Sequence, residues 1–264
     1  MGKMLLTDMR RAFGGWAVWG GALLLFLTLV TMSANEILHG SDPASMNAVE
    51  RFLTGLIPTG APFLAPVICC LPMGVSFCDD YVTGFGRTIV QRTGIYRYLF
   101  GRILSTAFSG GFTLLFGMVL YIVLCFLVFT GNGRTDPNLA NVLNMYRSYG
   151  VYSWLPDGLV AGYWLMAAYG LQYFLCGAVW AVAGLAISAL VVNRYAALAL
   201  PYISIITLWF LFGRLRLFLF NPYSYLHPYG LLSSFGVLLL GIGVQMVLFG
   251  GIFLLVGKRR LLYE

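Results

Sequence analysis

The chain has 264 residues, of which 60% are hydrophobic and only 9% are charged, and its formal net charge is +7. Soluble domains carry about 25% charged residues, so this composition excludes a separate soluble domain and indicates an integral membrane protein. The positive charge does not indicate a nucleic-acid partner, because the basic residues lie between the apolar stretches rather than in one patch.

The apolar stretches predict an all-α fold with six membrane-spanning helices. A short basic lead, 1–12, precedes the first stretch, and we expect it to lie on the membrane surface. The first stretch is too long for a signal-peptide core, and we interpret it as a span. The predicted spans are 13–32, 61–78, 103–130, 159–190, 195–213 and 231–256.

Two of these spans have unusual features. The second contains three prolines, which predicts a kink because proline cannot donate a backbone hydrogen bond. The fourth apolar stretch continues to residue 192, and a single helix of that length would measure about 51 Å, against a hydrocarbon core of about 30 Å. We therefore expect it to extend beyond the bilayer or to break near Gly184.

The polar stretch 79–102, called the arm below, separates the second and third spans. Its four arginines recur every five residues, so they cannot share one face of a helix. Gly94 lies midway, where a helical pattern is weakest. The arm is predicted to form two short helices with a bend and to project from the membrane.

The basic residues are distributed unequally between the two sides of a six-span chain. Eleven of the sixteen lie on the side of the termini and the arm, and five lie on the other side. The positive-inside rule therefore predicts that both termini and the arm are cytoplasmic.

The predicted spans contain no Asp, Glu, Lys, Arg or His. Ion-coupled carriers generally need such groups within the membrane, so this pattern argues against that class. Gln172 and Gln245 are the most polar residues in mid-span. Each could line a pathway, although an interhelical hydrogen bond is the favoured interpretation.

Small and aromatic residues leave two further questions open. Gly110 and Gly117 in the third span, like the glycines of the sixth, would permit close helix approach, either inside the monomer, which we favour, or in a dimer. The loop before the fourth span is rich in aromatic residues that could form a binding surface or an interfacial belt, and the belt is favoured. These residues are Tyr146, Tyr149, Tyr152 and Trp154.

The sequence shows no catalytic or metal-binding motif. It contains neither His-Glu-x-x-His nor Gly-x-Ser-x-Gly, and the glycines before Lys258 do not have the spacing of a phosphate-binding loop. The five cysteines lie in or beside apolar runs without a Cys-x-x-Cys pair, so neither disulfides nor structural zinc are expected. We expect a chain that is not an enzyme and holds no metal or cofactor.

The order of three features resembles the membrane (permease) subunit of type-2 ABC exporters. The first feature is the basic amphipathic lead into the first span. The second is an acidic-then-glycine arm, from Asp79-Asp80-Tyr81 through Gly84 to Arg87, followed by Arg92-Thr-Gly-Ile-Tyr-Arg-Tyr. The third is the turn Val192-Asn193-Arg194-Tyr195 leading to Ala199-Leu200-Pro201, with Asn221-Pro222-Tyr223-Ser224 before the last span. Asp79, Asp80 and Arg102 depart from the glutamate and lysine that are frequent in the family, but they keep the charge.

The resemblance implies that the arm is a coupling element that docks into a separate ABC ATP-binding subunit. It implies that ATP and magnesium bind to that partner, and that two permease copies, identical or related, enclose a pathway for a hydrophobic or amphipathic cargo. It also implies a bacterial cell membrane, with lipid as a partner. The contact residues that it implies are Asp79, Asp80, Tyr81, Gly84, Arg87, Arg92, Tyr96 and Arg97.

Three alternatives remain open at this point. The arm could be a solvated loop whose arginines only enforce topology. The chain could be an ion-coupled secondary carrier or a channel that needs no ATPase. It could also be a non-transporting immunity or sensor protein that binds a peptide with its outer loops.

Overall fold

The computed structural model describes residues 2–39, 47–56, 61–129, 137–148, 152–156, 159–191, 193–217, 221–226 and 234–263. Within these ranges all regular structure is helical, which confirms the predicted fold class. The helices are α1 (Gly2–Gly14), α2 (Trp16–His39), α3 (Ala48–Leu56), α4 (Ala61–Cys70), α5 (Ser76–Val82), α6 (Phe85–Thr93), α7 (Ile95–Val128), α8 (Pro137–Ser148), α9 (Leu159–Leu190), α10 (Arg194–Arg214) and α11 (Phe235–Tyr263), with a 3-10 turn at Pro222–Tyr225.

Four helices, α7, α9, α10 and α11, are long and apolar enough to cross a membrane. Two bent pairs raise this number to six if each pair forms one span. Parts of α1 and α2 are bent by 54°, and α3 and α4 are bent by 88°. The structure therefore shows a polytopic helical membrane protein with four to six spans.

The centre of the bundle is the contact between α7 and α9. A Cβ added to Gly110 of α7 would lie 2.4 Å from the Cβ of Ala181 on α9. A Cβ added to Gly117 would lie 2.8 Å from the carbonyl oxygen of Ala22 on α2. These glycines allow close backbone approach inside the monomer, which confirms the favoured interpretation for the third span. Gly243 on α11 is different, because it is exposed and a Cβ added there would meet no atom of the described residues within 4 Å.

The helices differ in how deeply they are enclosed. In the most apolar 18-residue segment of α9, 78% of the residues are buried. The corresponding share is 28% in α11 and 17% in α10. Between their ends, α10 and α11 expose large apolar side chains such as Phe210 and Val247. This arrangement suits a helix bundle in a lipid solvent, where a central helix packs against protein on all sides and peripheral helices present apolar surfaces outward.

The second predicted span is interrupted. Its first half forms α4, which ends at Cys70, and residues 71–75 form turns before α5 begins at Ser76. Pro72 lies in these turns, where its missing N–H removes no helical hydrogen bond. The predicted kink is thus a complete break, and 61–78 is not one helix.

The long fourth stretch, in contrast, is one unbroken helix. Of the two expectations for this stretch, the break near Gly184 was therefore wrong. A Cβ added to Gly184 would lie 2.5 Å from the Sγ of Cys70. This glycine therefore provides room for α4 rather than a weak point in α9. At 1.5 Å per residue, α9 is about 48 Å long and extends beyond a hydrocarbon core of about 30 Å.

Two other predicted boundaries differ from the helix boundaries in the structure. The helix that contains the third predicted span, α7, starts at Ile95 rather than at 103, so that the second half of the arm belongs to α7. The predicted first loop, 33–60, contains the end of α2 and the whole of α3. Residue 130 and residues 231–233, which end the third predicted span and begin the sixth, lie outside the described residues.

The bundle has two chemically different ends. At one end, called the basic end, α1, α5 and α6 meet the start of α7 and the ends of α9 and α11. Lys258 Nζ there donates to the hydroxyl of Tyr96 at 2.9 Å, and Arg260 Nη2 donates to the carbonyl of Leu190 at 2.8 Å. At the other end, called the tyrosine end, α3 and α8 pack near the 3-10 turn.

Tyrosines fill the interior of the tyrosine end. Tyr146 and Tyr152 are buried, and each ring contacts that of Tyr169, at centroid distances of 6.1 Å and 5.5 Å. For these two residues the prediction of a belt or a binding surface was wrong. Trp154 is exposed, and Tyr149 lies outside the described residues.

Two charged residues are also buried at the tyrosine end. Glu50 and Arg51 of α3 are 4% and 2% exposed, and the guanidinium of Arg51 lies 5.7 Å from the centre of the Phe129 ring. The sequence placed both residues in an outer loop. The interior of the protein therefore contains ionisable groups, although the predicted spans contained none.

Candidate functional site

The arm folds as α5, α6 and the first two turns of α7, separated by two glycines. Gly84 has φ 71° before α6, and Gly94 has φ 83° between α6 and α7. Residues with a Cβ are strained at such angles, so these two glycines determine where the chain turns. The sequence predicted the bend at Gly94 but not the one at Gly84.

One face of the arm lies against the bundle. Gly86 of α6 is buried, and a Cβ at this position would lie 3.4 Å from the Tyr98 hydroxyl and 3.5 Å from Leu261 Cδ2. The helix α6 therefore packs on α7 and on the end of α11. The sequence predicted an arm that projects from the membrane. In the structure the arm instead forms a layer on the basic end, and its other face is exposed.

Beneath this layer lies an ion cluster formed by Asp8, Arg11, Asp80, Tyr98 and Arg102, in which all members are buried except Arg11, whose side chain is 50% exposed. Arg102 Nη1 lies 3.3 Å from Asp8 Oδ1, and Arg102 Nη2 donates to Asp80 Oδ2. The hydroxyl of Tyr98 donates to the same Asp80 oxygen at 2.8 Å. Arg11 Nη1 lies 3.3 Å from Asp80 Oδ1. The cluster thereby ties α1, α5 and α7 together.

Burial makes the cluster energetically important. The side chain of Arg102 is fully buried and that of Asp80 is 2% exposed. Removal of one partner from a buried ion pair costs about 3–5 kcal/mol, because the other charge is left without compensation. The three helices are therefore expected to move together at this end.

Asp80 has a different role from the one the resemblance implied. It was expected to contact a partner subunit, but its two carboxylate oxygens accept from Arg11, Arg102 and Tyr98 inside this chain. Asp79, its neighbour, is half-buried, and none of the ion pairs among the described residues involves its carboxylate. The two adjacent acids are thus distinct: Asp80 is internal, and Asp79 faces a surface groove.

The exposed face of the arm carries the arginines. Arg87 and Arg92 on α6 and Arg97 on α7 are exposed, and no carboxylate within the described residues pairs with them. Gly84 is exposed at the corner before α6. The surfaces of these four residues are therefore accessible, and their contact with a partner stays a prediction.

The two predicted contact tyrosines interact with basic residues of α11. Lys258 Nζ lies 5.2 Å from the centre of the Tyr96 ring, and this ring is 55% exposed. The guanidinium of Arg260 lies 5.7 Å from the centre of the Tyr81 ring, which is half-buried. Both tyrosines therefore attach the arm to the last helix through cation–π contacts, which are worth about 0.5–1 kcal/mol at exposed sites.

An open groove of about 610 Å³ separates α1 from α5 and α6. Three carboxylates of Asp8, Asp79 and Asp80 lie along it, together with Arg11, three threonines, Gly84 and Phe85. Asp8 is 7% exposed and pairs with Arg102 through Oδ1, and its Oδ2 accepts no hydrogen bond from the described part of the chain. The groove is thus acidic, although the surrounding end of the protein is basic.

Sequence reasoning missed several residues of this site. Asp8 was read only as part of a basic surface helix, and Arg102 only as a topology signal. Tyr98, Lys258 and Arg260 were not assigned a contact. A weak signal was available, because an aspartate in a basic lead and an arginine just before an apolar run both require a partner if they are buried.

The predicted pathway residues lie far from the arm. Gln172 Oε1 accepts from the Tyr152 hydroxyl at 2.7 Å, and Gln172 Nε2 donates to the Tyr225 carbonyl. Gln245 Nε2 donates to the Tyr225 hydroxyl at 3.3 Å. Burial raises the pKa of Tyr152, which keeps its hydroxyl protonated and able to donate. The structure thus supports hydrogen bonding between elements for both glutamines rather than the lining of a pathway.

The described residues contain no group of three or more His, Cys, Asp or Glu side chains that could hold a metal ion. Comparisons with protein-family models, with curated proteins and with solved structures each found no match.

Proposed function

We propose that this chain is the membrane (permease) subunit of an ABC exporter, and that a separate ATP-binding subunit docks on the exposed face of the arm. One observation carries the proposal. The arm has an outer face with three accessible arginines, Arg87, Arg92 and Arg97, and an inner face joined by buried ion pairs to α1 and α7. A loop that only enforces topology needs positive charge but no such internal connection.

The connection supplies a route for mechanical coupling. A force applied to α6 would reach α7 through their packing at Gly86 and through the Asp80–Arg102 pair. Because α7 is a membrane-spanning helix packed along α9, displacement of the arm would shift the centre of the bundle. ATP and magnesium bind to the partner, whose closure favours one of two arrangements of the membrane subunit.

The remaining features follow from the same proposal. The chain crosses the membrane six times, with both termini and the arm in the cytoplasm, because eleven basic residues belong to that side in this topology. Two copies, or this chain and a related one, enclose the pathway in the cell membrane of a bacterium. The cargo is hydrophobic or amphipathic and is exported.

The proposal is tested by purification of the affinity-tagged chain from its native membrane and by mass spectrometry of the proteins that accompany it. An ATP-binding subunit in stoichiometric amount is expected. The double variant Arg87→Glu/Arg92→Glu should reduce ATP-dependent transport at least about tenfold, because like-charge contacts at an interface cost several kcal/mol. Arg214→Glu is the matched control, since Arg214 is equally exposed but ends α10 at the tyrosine end.

Purification of the chain without any ATP-binding protein would disprove the proposal that it is a subunit of an ABC exporter. Full transport by the double variant, with intact ATPase coupling, would remove these two arginines from the mechanism. The exporter would then need a different docking surface.

A second candidate is an ion-coupled carrier, which is favoured by the burial of Glu50 and Arg51 in α3. Buried ionisable groups are the usual means by which carriers bind a driving ion. Sealed vesicles separate the two candidates. Transport that follows an imposed ion gradient in the absence of ATP would favour the carrier, and transport that requires ATP would favour the exporter.

A further inference from the structure

A separate cavity, called the break cavity below, lies where the second predicted span is interrupted. It lies between the corner of α1 and α2, the turns at 71–75 and the start of α10. The charged and hydroxyl-bearing residues of its lining are Arg11, Ser76, Asp79 and Arg194. Irregular backbone in a membrane-spanning region is tolerated only against protein or beside a polar cavity, so the interruption and the cavity belong together.

The cationic groups of this cavity have donors to spare. Arg194 is exposed, and no ion pair among the described residues joins it to a carboxylate. Arg11 pairs through Nη1 with Asp80, which also pairs with Arg102. A guanidinium group has five N–H donors, so Arg11 keeps donors for a second partner. The lining itself contains two guanidinium groups and one carboxylate, that of Asp79, which indicates a ligand with a negative group.

The hydroxyl of Ser76 is an independent observation that points to a ligand. Ser76 lines the cavity and is 4% exposed, and its Oγ has no hydrogen-bond partner within the described part of the chain. A buried hydroxyl without a partner is unfavourable, and the neighbouring guanidinium groups cannot accept its proton. An oxygen atom supplied from outside the chain would accept it. The three side chains together therefore suit a ligand with several acceptor oxygens.

The corner between α1 and α2 places the cavity at the level of the lipid headgroups. The two helices are bent by 54°, as expected where a helix on the membrane surface turns into a span. Trp16 lies at this corner, lines the cavity and is 89% exposed. Tryptophan is enriched at the membrane–water interface. A membrane lipid can therefore reach the cavity from the side, past the indole ring.

The size of the cavity suits a headgroup rather than a whole lipid. Its volume is about 230 Å³. Pockets that enclose drug-sized molecules measure about 300–1,000 Å³, so only a small polar group fits inside. The acyl chains of a bound lipid would remain in the bilayer.

We propose that the break cavity binds the headgroup of a phospholipid. Its phosphate accepts hydrogen bonds from Arg11, Arg194 and Ser76, since guanidinium groups match phosphate oxygens in geometry and charge. Asp79 provides a partner for an ammonium group, which favours phosphatidylethanolamine over phosphatidylglycerol. The bound headgroup joins α1, α5 and α10 across the interruption of the second span. This site does not depend on the proposed exporter function.

The test measures lipid binding to the tagged full-length chain, purified in detergent and washed free of native lipid. Phosphatidylethanolamine and phosphatidylglycerol with identical acyl chains are titrated separately, and bound lipid is counted by native mass spectrometry. The wild-type chain should bind phosphatidylethanolamine more tightly. Arg194→Gln should weaken this binding at least about tenfold, because a charge-assisted contact is lost. Arg214→Gln is the matched control, since Arg214 is exposed at the other end of the same helix.

Two further variants test the site without Arg194. Ala17→Phe fills the cavity from α2 without a change of charge and should weaken binding of both lipids. It keeps the proposal testable if Arg194→Gln does not fold. Asp79→Asn should bring the affinities for the two lipids within about twofold of each other, because the partner of the ammonium group loses its charge.

Two results would overturn the proposal. The first is equal affinity of the wild-type chain and the variants Arg194→Gln and Ala17→Phe for phosphatidylethanolamine. The second concerns inorganic phosphate, which is added as a competitor and should not displace the lipid at equal concentration. Displacement under these conditions would show that the cavity is a site for the free anion.

Discussion

At the scale of single residues, Arg102 of α7 is joined to two other helices at the basic end. It pairs with Asp8, which is 94 residues away, and with Asp80, which is 22 residues away, and its guanidinium lies 5.5 Å from the centre of the Tyr98 ring. A buried cation with these partners is stable only while all of them are present. The cluster therefore fixes one arrangement of α1, α5 and α7.

Substitution of Arg102 by methionine should lower the stability of the purified chain by about 3–5 kcal/mol, because the buried Asp8 loses its ion pair and Asp80 keeps only the pair with the half-exposed Arg11. Thermal unfolding in detergent, followed by intrinsic fluorescence, measures the change in apparent Tm. Arg97→Met is the matched control on the same helix, and exposed substitutions usually stay within about 0.5 kcal/mol. Equal shifts for the two variants would show that the buried cluster does not stabilise the fold.

At the scale of helices, the fold depends on how closely α7 approaches its neighbours. Gly110→Ala would place a Cβ 2.4 Å from Ala181 Cβ and 2.9 Å from the carbonyl oxygens of Cys69 and Gly177. Since backbone atoms cannot rotate away, α4 and α9 would have to move, and overpacking of this kind costs about 1–3 kcal/mol. Thermal unfolding should show this loss.

Gly243→Ala provides the comparison, because a Cβ at this position of α11 meets no atom within 4 Å. Alanine is a better helix former than glycine, so this variant should be neutral or up to about 1 kcal/mol more stable. A loss of stability at Gly243 similar to that at Gly110 would indicate that the exposed face of α11 is itself a packed interface, for example in a dimer.

At the scale of the whole molecule, the orientation of the two ends is open to direct measurement. All five native cysteines are free thiols and buried, so their background labelling should be low. Ser153→Cys at the tyrosine end should react with a membrane-impermeant thiol reagent in intact cells. Arg87→Cys, exposed on α6, should react only after the membrane is made permeable. The reverse pattern would invert the proposed topology.

The sequence predicted the accessible residues of the arm better than the contacts of the arm with the rest of the chain. Asp79, Gly84, Arg87 and Arg92 were identified, and all four lie on its accessible side or along the acidic groove. The assignment failed at Asp80, because two adjacent acids look alike in sequence while only one of them faces Arg102 in the fold. Adjacent helical residues point in different directions, and only the packing of α5 decides which of them is buried.

The amino-acid sequence by itself determined that this is a helical membrane protein, and it predicted which basic residues lie at the same end. Hydropathy over some twenty residues and the spacing of charges are local properties, readable without knowledge of the fold. The tertiary structure alone decided that Tyr146 and Arg51 are buried, that α9 is unbroken at Gly184, and that Asp8 meets Arg102. These features depend on contacts between residues far apart in the chain, and the free energy of a charged or polar group depends on whether such a contact supplies its partner.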